Sequence, residues 1–530
     1  MSYFTDQGDL SPILRQSDAN ALVAAAFDRW TSIETAALVG VRAGSLDEDV
    51  SGANVTQSGQ TVVLPPDVQA NSSKPLAVVY DVDGAVTEAC LGTGASTPGQ
   101  CAANSVSGGI DRFNEDGAIV HAVLILNGRC VQSPGDVEAF RYRLVRMVGR
   151  ILGLDGSQLN DSVADGSGTS EEREGFPLMH PLGSLCTSAG CIAGADQPRM
   201  DDRSAISRLY PVTSGNVASF PGKRIFSSTT GRVRGRVRFT GGGGMQGVNV
   251  VARLLKEDGQ ASGSAAVSSV SGFLFRGNAG NPVTGFTNDA GERWDKFGSG
   301  DPDLQGCYDL AGLEIPQGQT TVRYELRVEA VRPEYKGSLS VGPYRSEQVR
   351  MSGSADPIVV TIAAGSDIEQ DIVMQGSPES SGGDDAQPFS APAQLPGGGV
   401  WQGAIRSYGS VHYYSFQAQA DRIATLEVQA VDESGAPTAS KALPVIGIWP
   451  DTAVEGSPPA ASAAYFDSAS PGSGLGLTQL VAKYTLTRQF KLGIADYRGD
   501  GRPDFGYRAR FFYAGDIEPV RASTAGGTVV

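Results

Sequence analysis

The chain has 530 residues, 42 basic against 58 acidic side chains and a formal net charge of −16. That balance excludes partners held through phosphates or an anionic membrane, which need a concentrated basic face, and 40 % apolar content excludes general disorder. A single core stops growing well short of this length, so about three or four domains are expected, and 69 glycines with 29 prolines suit many short strands joined by turns.

In chain order, LAVVYDVDGAVTEACLG (Leu76 to Gly92) predicts a strand and an acidic turn, in which Asp81 and Asp83, with Glu88, are calcium candidates or plain turn residues. Val137, Phe140, Leu144, Val148 and Ile151 then recur at helical spacing, the stripe a helix buries, while Arg143, Arg146 and Arg150 fall on another face. MDDRSAISRLYPV (Met200 to Val212) predicts a closing helix with Asp201 and Asp202 against its N-terminal dipole.

The run RYRLVRMVGRILGLDGSQLND (Arg141 to Asp161) resembles the active-site helix of the matrixins, within the metzincin metalloproteases. That family's H-E-x-x-H-x-x-G-x-x-H pattern holds zinc with three histidines and uses the glutamate as general base. Here the four positions read Arg146, Met147, Arg150 and Gly156; only the bend remains, as Gly153. GFPLMHP (Gly175 to Pro181) sits where the methionine turn belongs, with Met179 as its methionine. The resemblance covers about the first 215 residues and rests on the order of its landmarks: DANALVAAAFDRWTSI (Asp18 to Ile33) looks like the family's first helix, Leu76 to Gly92 like its strand and acidic turn, IVHAVLILNG (Ile119 to Gly128) like a later strand and Met200 to Val212 like its closing helix. It implies an α/β fold, a mixed sheet with an active-site-type helix, that has lost its catalytic residues and its zinc. Guanidinium groups stay charged and offer no lone pair, so they repel a cation. Two readings of the arginine pair stand: ion pairs with the chain's own acids, Asp155 being nearest in sequence, or recognition of an anionic ligand. The three histidines, His121, His180 and His412, match no zinc spacing, and His180 reads as a surface or cleft-floor residue.

Six cysteines include two close pairs, Cys90 with Cys101 and Cys186 with Cys191, candidates for local disulfides in an oxidising compartment. Cys130 and Cys307 are left to pair across domains or to stay reduced.

After a proline-punctuated joint, GRVRGRVRFTGGGGMQGVNVVARLL (Gly231 to Leu255) alternates around a glycine turn and predicts a hairpin. With later strands at Thr321 to Val331, Pro357 to Ala363 and Ile368 to Gln375, residues 222–376 resemble a carboxypeptidase regulatory-like, prealbumin-type β-sandwich. Residues 271–316 read as a long insertion, an ornate connection in preference to a binding loop. A Gly/Ser/Asp-rich stretch over 377–390 predicts a flexible linker. VWQGAIRSYGSVHYYSFQAQADRIATLEVQAV (Val400 to Val431) and KLGIADYRGDGRPDFGYRARFFYA (Lys491 to Ala514) then resemble the bacterial pre-peptidase C-terminal sandwich, over 391–517. Asp496, Asp500 and Asp504 around its RGDG turn are calcium candidates or ordinary turn residues. Residues 518–530 resemble the entry to a further IPT/TIG domain.

The expected architecture is therefore multidomain, an α/β module followed by two all-β sandwiches. The expected function is that of a non-catalytic, exported bacterial surface or matrix protein, its protease-like module reused as scaffold or binding domain. A zinc metallopeptidase with an atypical metal site and a structural subunit of an extracellular assembly are the alternatives. No cofactor is expected beyond calcium at the acidic turns. The expected partner is a cell-surface protein or glycan, or a second copy in self-assembly. Met1 runs into SYFTDQGDLSP without a basic start or apolar core, so for an exported chain a trimmed form is expected.

Overall fold

The computed structural model describes the chain apart from residues 59–60, 182–184, 188–189, 241, 275–282, 284–300, 332–348, 350, 352–356, 376–386, 407–408, 433, 440, 465–475, 498, 500, 502–503 and 515–530. The linker's first part, Asp500 and the segment 518–530 thus lie outside the described residues.

The first module opens with β1 (Ser2–Thr5), α1 (Gln16–Thr31), β2 (Val41–Ser45) and a short pair, β3 (Thr56–Ser58) and β4 (Thr61–Val63). β5 (Leu76–Asp81), α2 (Ala85–Leu91), α3 (Cys101–Asn104), β6 (Val106–Phe113), β7 (Ile119–Asn127) and α4 (Val137–Ile151) follow. α5 (Ser170–Glu174), β8 (Cys186–Thr187), β9 (Gly190–Cys191) and α6 (Met200–Leu209) close it. Five strands form a mixed sheet in the order β2-β1-β5-β7-β6, parallel except for the edge strand β6. Every residue of β5 is buried, because both faces of the sheet are covered. α1 and α4 lie over Val78, Tyr80 and Leu124; Leu46, Val50 and Val86 cover Val79 and Ile125 behind them.

α1 presents Ala19, Val23, Ala26, Phe27 and Trp30 as one buried stripe, and the Trp30 indole donates to the Val145 carbonyl at 2.8 Å, joining α1 to α4. α4 buries Phe140, Leu144, Val148 and Ile151 and adds Tyr142, Val145 and Gly149. A Cβ on Gly149 would lie 2.6 Å from both the Trp30 ring and the Met179 sulfur, so glycine is what lets the helices and the Met179 loop close up. Gly149→Ala gains about 1 kcal/mol of helix propensity and meets an overpacking cost of about 1–3 kcal/mol. A net loss of about 1–2 kcal/mol, read by urea denaturation, is the expected outcome.

The second module is a sandwich of β10 (Thr230–Phe239), β11 (Val248–Leu255), β12 (Ala261–Val270), β13 (Cys307–Glu314), β14 (Thr321–Ala330), β15 (Ile358–Ala363), β16 (Asp367–Glu369) and β17 (Ile372–Met374). The expected hairpin over 231–255 is corrected. β10 pairs with β13, β16 and β17, whereas β11 lies in the other sheet, in the order β12-β11-β14-β15. The glycine run between them carries the chain across the core, so that Val233 and Val237 face Val248 and Val250 from opposite sheets. The insertion is corrected too: its last part is β13, a core-forming strand that contributes Tyr308, Leu310 and Leu313. The outward arginines of β10 are neutralised in place, Arg232 by Asp309, Arg234 by Asp367 and Arg238 by Asp371.

The third module comprises β18 (Ala393–Gln394), β19 (Val400–Ala404), β20 (Val411–Gln417), β21 (Ile423–Val431), β22 (Pro444–Pro450), β23 (Ala461–Ala464), β24 (Leu477–Lys483), β25 (Gln489–Asp496) and β26 (Gly506–Tyr513). Its sheets run β18-β20-β25-β22-β23 and β19-β26-β21-β24, with Trp401, Phe416, Leu426, Ile446 and Tyr507 between them. The described end of the expected linker is not free chain, since Phe389 is buried against Tyr413 and Trp449.

The first two modules interlock rather than hinge. Met200 of α6 belongs to the second module's core. Ser204 donates to the Ala311 carbonyl, and the Asn160 amide donates to the Gly263 carbonyl at 2.8 Å. Leu159 is buried against Val251 and Ala266, and Gly175 approaches Gly263 so closely that a Cβ there would lie 2.3 Å from its oxygen.

Candidate functional site

The polar face of α4 carries Arg143, Arg146 and Arg150, the positions that the sequence singled out. The Arg150 guanidinium meets the Asp155 carboxylate at 2.5 Å, both half exposed. Arg146 takes a different partner from an acid: its guanidinium donates to the His180 carbonyl at 2.8 Å and lies over the Tyr142 ring, 6.0 Å from the centroid. Burial lowers the Arg143 pKa. Met147 packs half-buried against the main core. Gly153, at φ 94°, turns the chain out of α4, and Gly156 follows with its N–H on Asp155 and Pro181 against it. Met179 is buried beneath Gly149. An exposed ion pair contributes about 0–1 kcal/mol, so Arg150→Ala is expected to move the melting temperature by no more than about 2 °C in a thermal scan.

The histidines lie apart. His180 is wholly buried, which corrects the surface position among its two expected ones; it tilts against Phe176 at 4.5 Å, with Nε2 3.3 Å from Asp161. His121 meets Asp111 at 2.5 Å across β6 and β7, and His412 meets the Tyr507 hydroxyl at 2.8 Å inside the third module. Among the described residues, no three His, Cys, Asp or Glu side chains are gathered so that they could hold a metal ion.

The acidic turns are occupied by the protein itself. Asp81 accepts from the Val86 N–H, the Thr87 N–H and the Thr87 hydroxyl at 3.0, 2.7 and 2.6 Å, capping α2, and Asp83 accepts from the Ala85 N–H. Asp496 accepts from the Leu443 N–H at 2.7 Å, and Asp504 is 2.6 Å from the almost fully buried Lys441 ammonium.

The disulfides join Cys101 to Cys130 and Cys186 to Cys191. The expected Cys90–Cys101 bond is thereby corrected. Antiparallel pairing of β6 with β7 brings the residues that precede β6 beside those that follow β7, as the Asn127 N–H on the Ser105 carbonyl shows. Cys101 and Cys130 are those residues; Cys90 stays on α2, exposed and free, and Cys307 is free and half-buried.

The site that sequence reading missed lies at the start of α6. A cavity of about 370 Å³ opens between the first two modules, walled by Gly156, Ser157, Asp201, Arg208, Ser269 and Phe273. Asp201 accepts from the Ser157 hydroxyl and from the Ser268 N–H of β12, each at 2.6 Å, and burial pushes its pKa up to about 6. Asp202 faces the other way: its oxygens accept from the N–H groups of Leu178, Met179 and Arg199 at 2.8, 3.0 and 2.8 Å, and burial raises its pKa as well. One acid therefore holds the Met179 loop and its neighbour holds the second module. Arg208 crosses the boundary too, 3.1 Å from Asp309 and 4.6 Å over Phe273; burial lowers its pKa while Asp309 opposes the shift. The only signal in the sequence was a pair of acids in a helix's first turn, which spoke of the dipole and not of partners.

No protein-family model and no curated protein matches the chain. Solved structures similar to parts of it include the periplasmic inhibitor of g-type lysozyme from Aeromonas hydrophila, 12 % identical over 23 % of this chain and 93 % of that one, TM-score 0.17. The pre-peptidase C-terminal domain of a Bacillus anthracis collagenase is 11 % identical over 25 % of this chain and 100 % of its own, TM-score 0.16. The major pilin of Streptococcus pyogenes is 9 % identical over 51 % and 79 %, TM-score 0.17. These are likenesses of fold alone.

Proposed function

We propose that the chain is a non-catalytic, exported bacterial surface or matrix protein, in which a metalloprotease-like module without zinc ligands serves as the scaffold on which the β-sandwiches are mounted. The observation that carries this reading is the engagement of the α4 polar face within the protein itself, Arg150 on Asp155 and Arg146 on the His180 carbonyl. The mixed sheet with α4 packed across it supplies a core on which such a scaffold can stand. The clamp from α6 onto β12 and β13 gives the module a mechanical task. Two disulfides fit an oxidising compartment, and among the described residues no helix is long and apolar enough to cross a membrane.

Metal analysis of the purified protein, combined with digestion of casein and gelatin, tests the reading. It expects zinc well below one equivalent and no cleavage that a chelator abolishes. Stoichiometric zinc together with chelator-sensitive cleavage would restore the metallopeptidase alternative.

A further inference from the structure

The outer face of a sandwich sheet is ordinarily the polar one. In the third module the outer face of β20, β25 and β22 carries Val411, Tyr413, Ala495, Val445 and Trp449 instead. At its centre Gly493 is register partner to both Tyr413 and Gly447, a row of two glycines in the middle of adjacent strands. Glycine weakens a strand interior, and its placement there marks close approach of something to the backbone. A Cβ on Gly493 would lie 2.9 Å from the Trp449 ring and 3.0 Å from the Tyr413 ring. These rings therefore lean over a glycine floor rather than standing off the sheet. Phe389 completes a third wall, edge-on to Tyr413 at 5.1 Å and to Trp449 at 5.7 Å. The Trp449 indole is anchored on the Ser457 carbonyl at 2.8 Å, and the Lys491 ammonium backs Phe389 at 4.3 Å.

The space so enclosed already holds a guest from elsewhere in the chain. Val283, which belongs in sequence to the connection between β12 and β13 of the second module, is only 4 % exposed and is clustered with Phe389, Val445, Trp449 and Ala495. A Cβ on Gly447 would lie 2.4 Å from its Cγ1. We propose that this aromatic socket is a docking point for an aliphatic side chain, that its occupant is Val283 of the same chain, and that the contact fastens the third module to the second. The Gly447–Gly493 floor sets the depth, and the three rings set the apolar character and the size of what fits. The connection over 271–316 then has a task its length alone does not explain, and the Gly/Ser/Asp-rich stretch that follows the second module is bridged by a second, non-covalent tie.

Val283→Asp replaces the apolar occupant of the aromatic socket with a carboxylate and leaves the third module's own sequence intact. In the full chain it is expected to raise the radius of gyration in small-angle X-ray scattering and to speed limited proteolysis within 376–388 by about tenfold, a loss of about 1.4 kcal/mol of closure. Val283→Ala, smaller but still apolar, should give a profile between the wild type and Val283→Asp on both counts. Gly447→Val, which fills the socket from below, should loosen the modules in the same way, with circular dichroism reporting whether the third module stays folded. Wild-type scattering and wild-type cleavage rates for Val283→Asp would overturn the proposal. So would a wild-type dimer that Val283→Asp converts to monomer, because the occupant would then come from a second copy. Neither result depends on whether the first module is catalytic.

Discussion

Asp202→Ala is expected to unfold with about 4 kcal/mol less stability than the wild-type protein. The carboxylate satisfies three N–H groups, those of Leu178, Met179 and Arg199, and alanine strands them. Each buried donor left without an acceptor costs about 1–3 kcal/mol. The sum is reduced because removing a charge whose own burial is unfavourable, as the raised pKa of Asp202 records, returns part of the loss. For a unit of this size about 4 kcal/mol corresponds to a fall of roughly 10 °C in melting temperature. Asp202→Asn should fall between the two, since an amide accepts through one oxygen only. The damage should spread from the Met179 loop to α4, because that loop carries the His180 carbonyl that receives Arg146. A change below about 1 kcal/mol in calorimetry and urea denaturation would mean that the loop is held by something other than this carboxylate.

Asp201→Asn is expected to flatten the pH dependence of stability. Burial lifts the Asp201 pKa from its ordinary 3.8 to about 6 in the folded protein. A folded-state value above the unfolded one means that folding takes up a proton. The associated stability is fully present below about pH 4 and is lost as the pH rises through about 6, to an extent of roughly 3 kcal/mol. The asparagine amide has the shape of the neutral acid: its oxygen still accepts from the Ser268 N–H, and its NH₂ can donate to the Ser157 hydroxyl. Asp6, also lifted to about 6 by burial, titrates alike in both proteins and cancels in the comparison. Melting curves from pH 4 to pH 8 should therefore diverge above pH 5, with the variant the more stable at pH 8. Parallel curves would show that Asp201 is ionised throughout the range.

Much of the fold was legible where the signal is local. The stripe from Phe140 to Ile151 named the buried side of α4, and the alternation in GRVRGRVRF and VNVVA named β10 and β11. Alternation reports which side chains face a core and is silent on which strand lies alongside, so two adjacent strands read as a hairpin although they belong to opposite sheets. The same silence misplaced a disulfide. Proximity in sequence favoured Cys90 for Cys101, while the β6–β7 register, a long-range fact, delivered Cys130. Arg150 and Asp155 could be paired by eye because five positions at a helix end lie close in space. The acceptor for Arg146 is a backbone carbonyl, which no residue type advertises. Asp201 and Asp202 fared likewise, since the main-chain N–H groups of Leu178, Met179 and Ser268 that they hold lie on segments distant in sequence.

Met200 stands in the first turn of the helix that ends one module, yet its side chain is built into the interior of the next. A cut in the proline-marked joint near 211–221 would leave the N-terminal fragment with a greasy residue in water and the C-terminal fragment with a hole where a thioether had been. The joint near 211–221 is therefore no place for recombination to part the two modules, and a piece moved between proteins must keep α6 together with the β-sandwich that holds Met200.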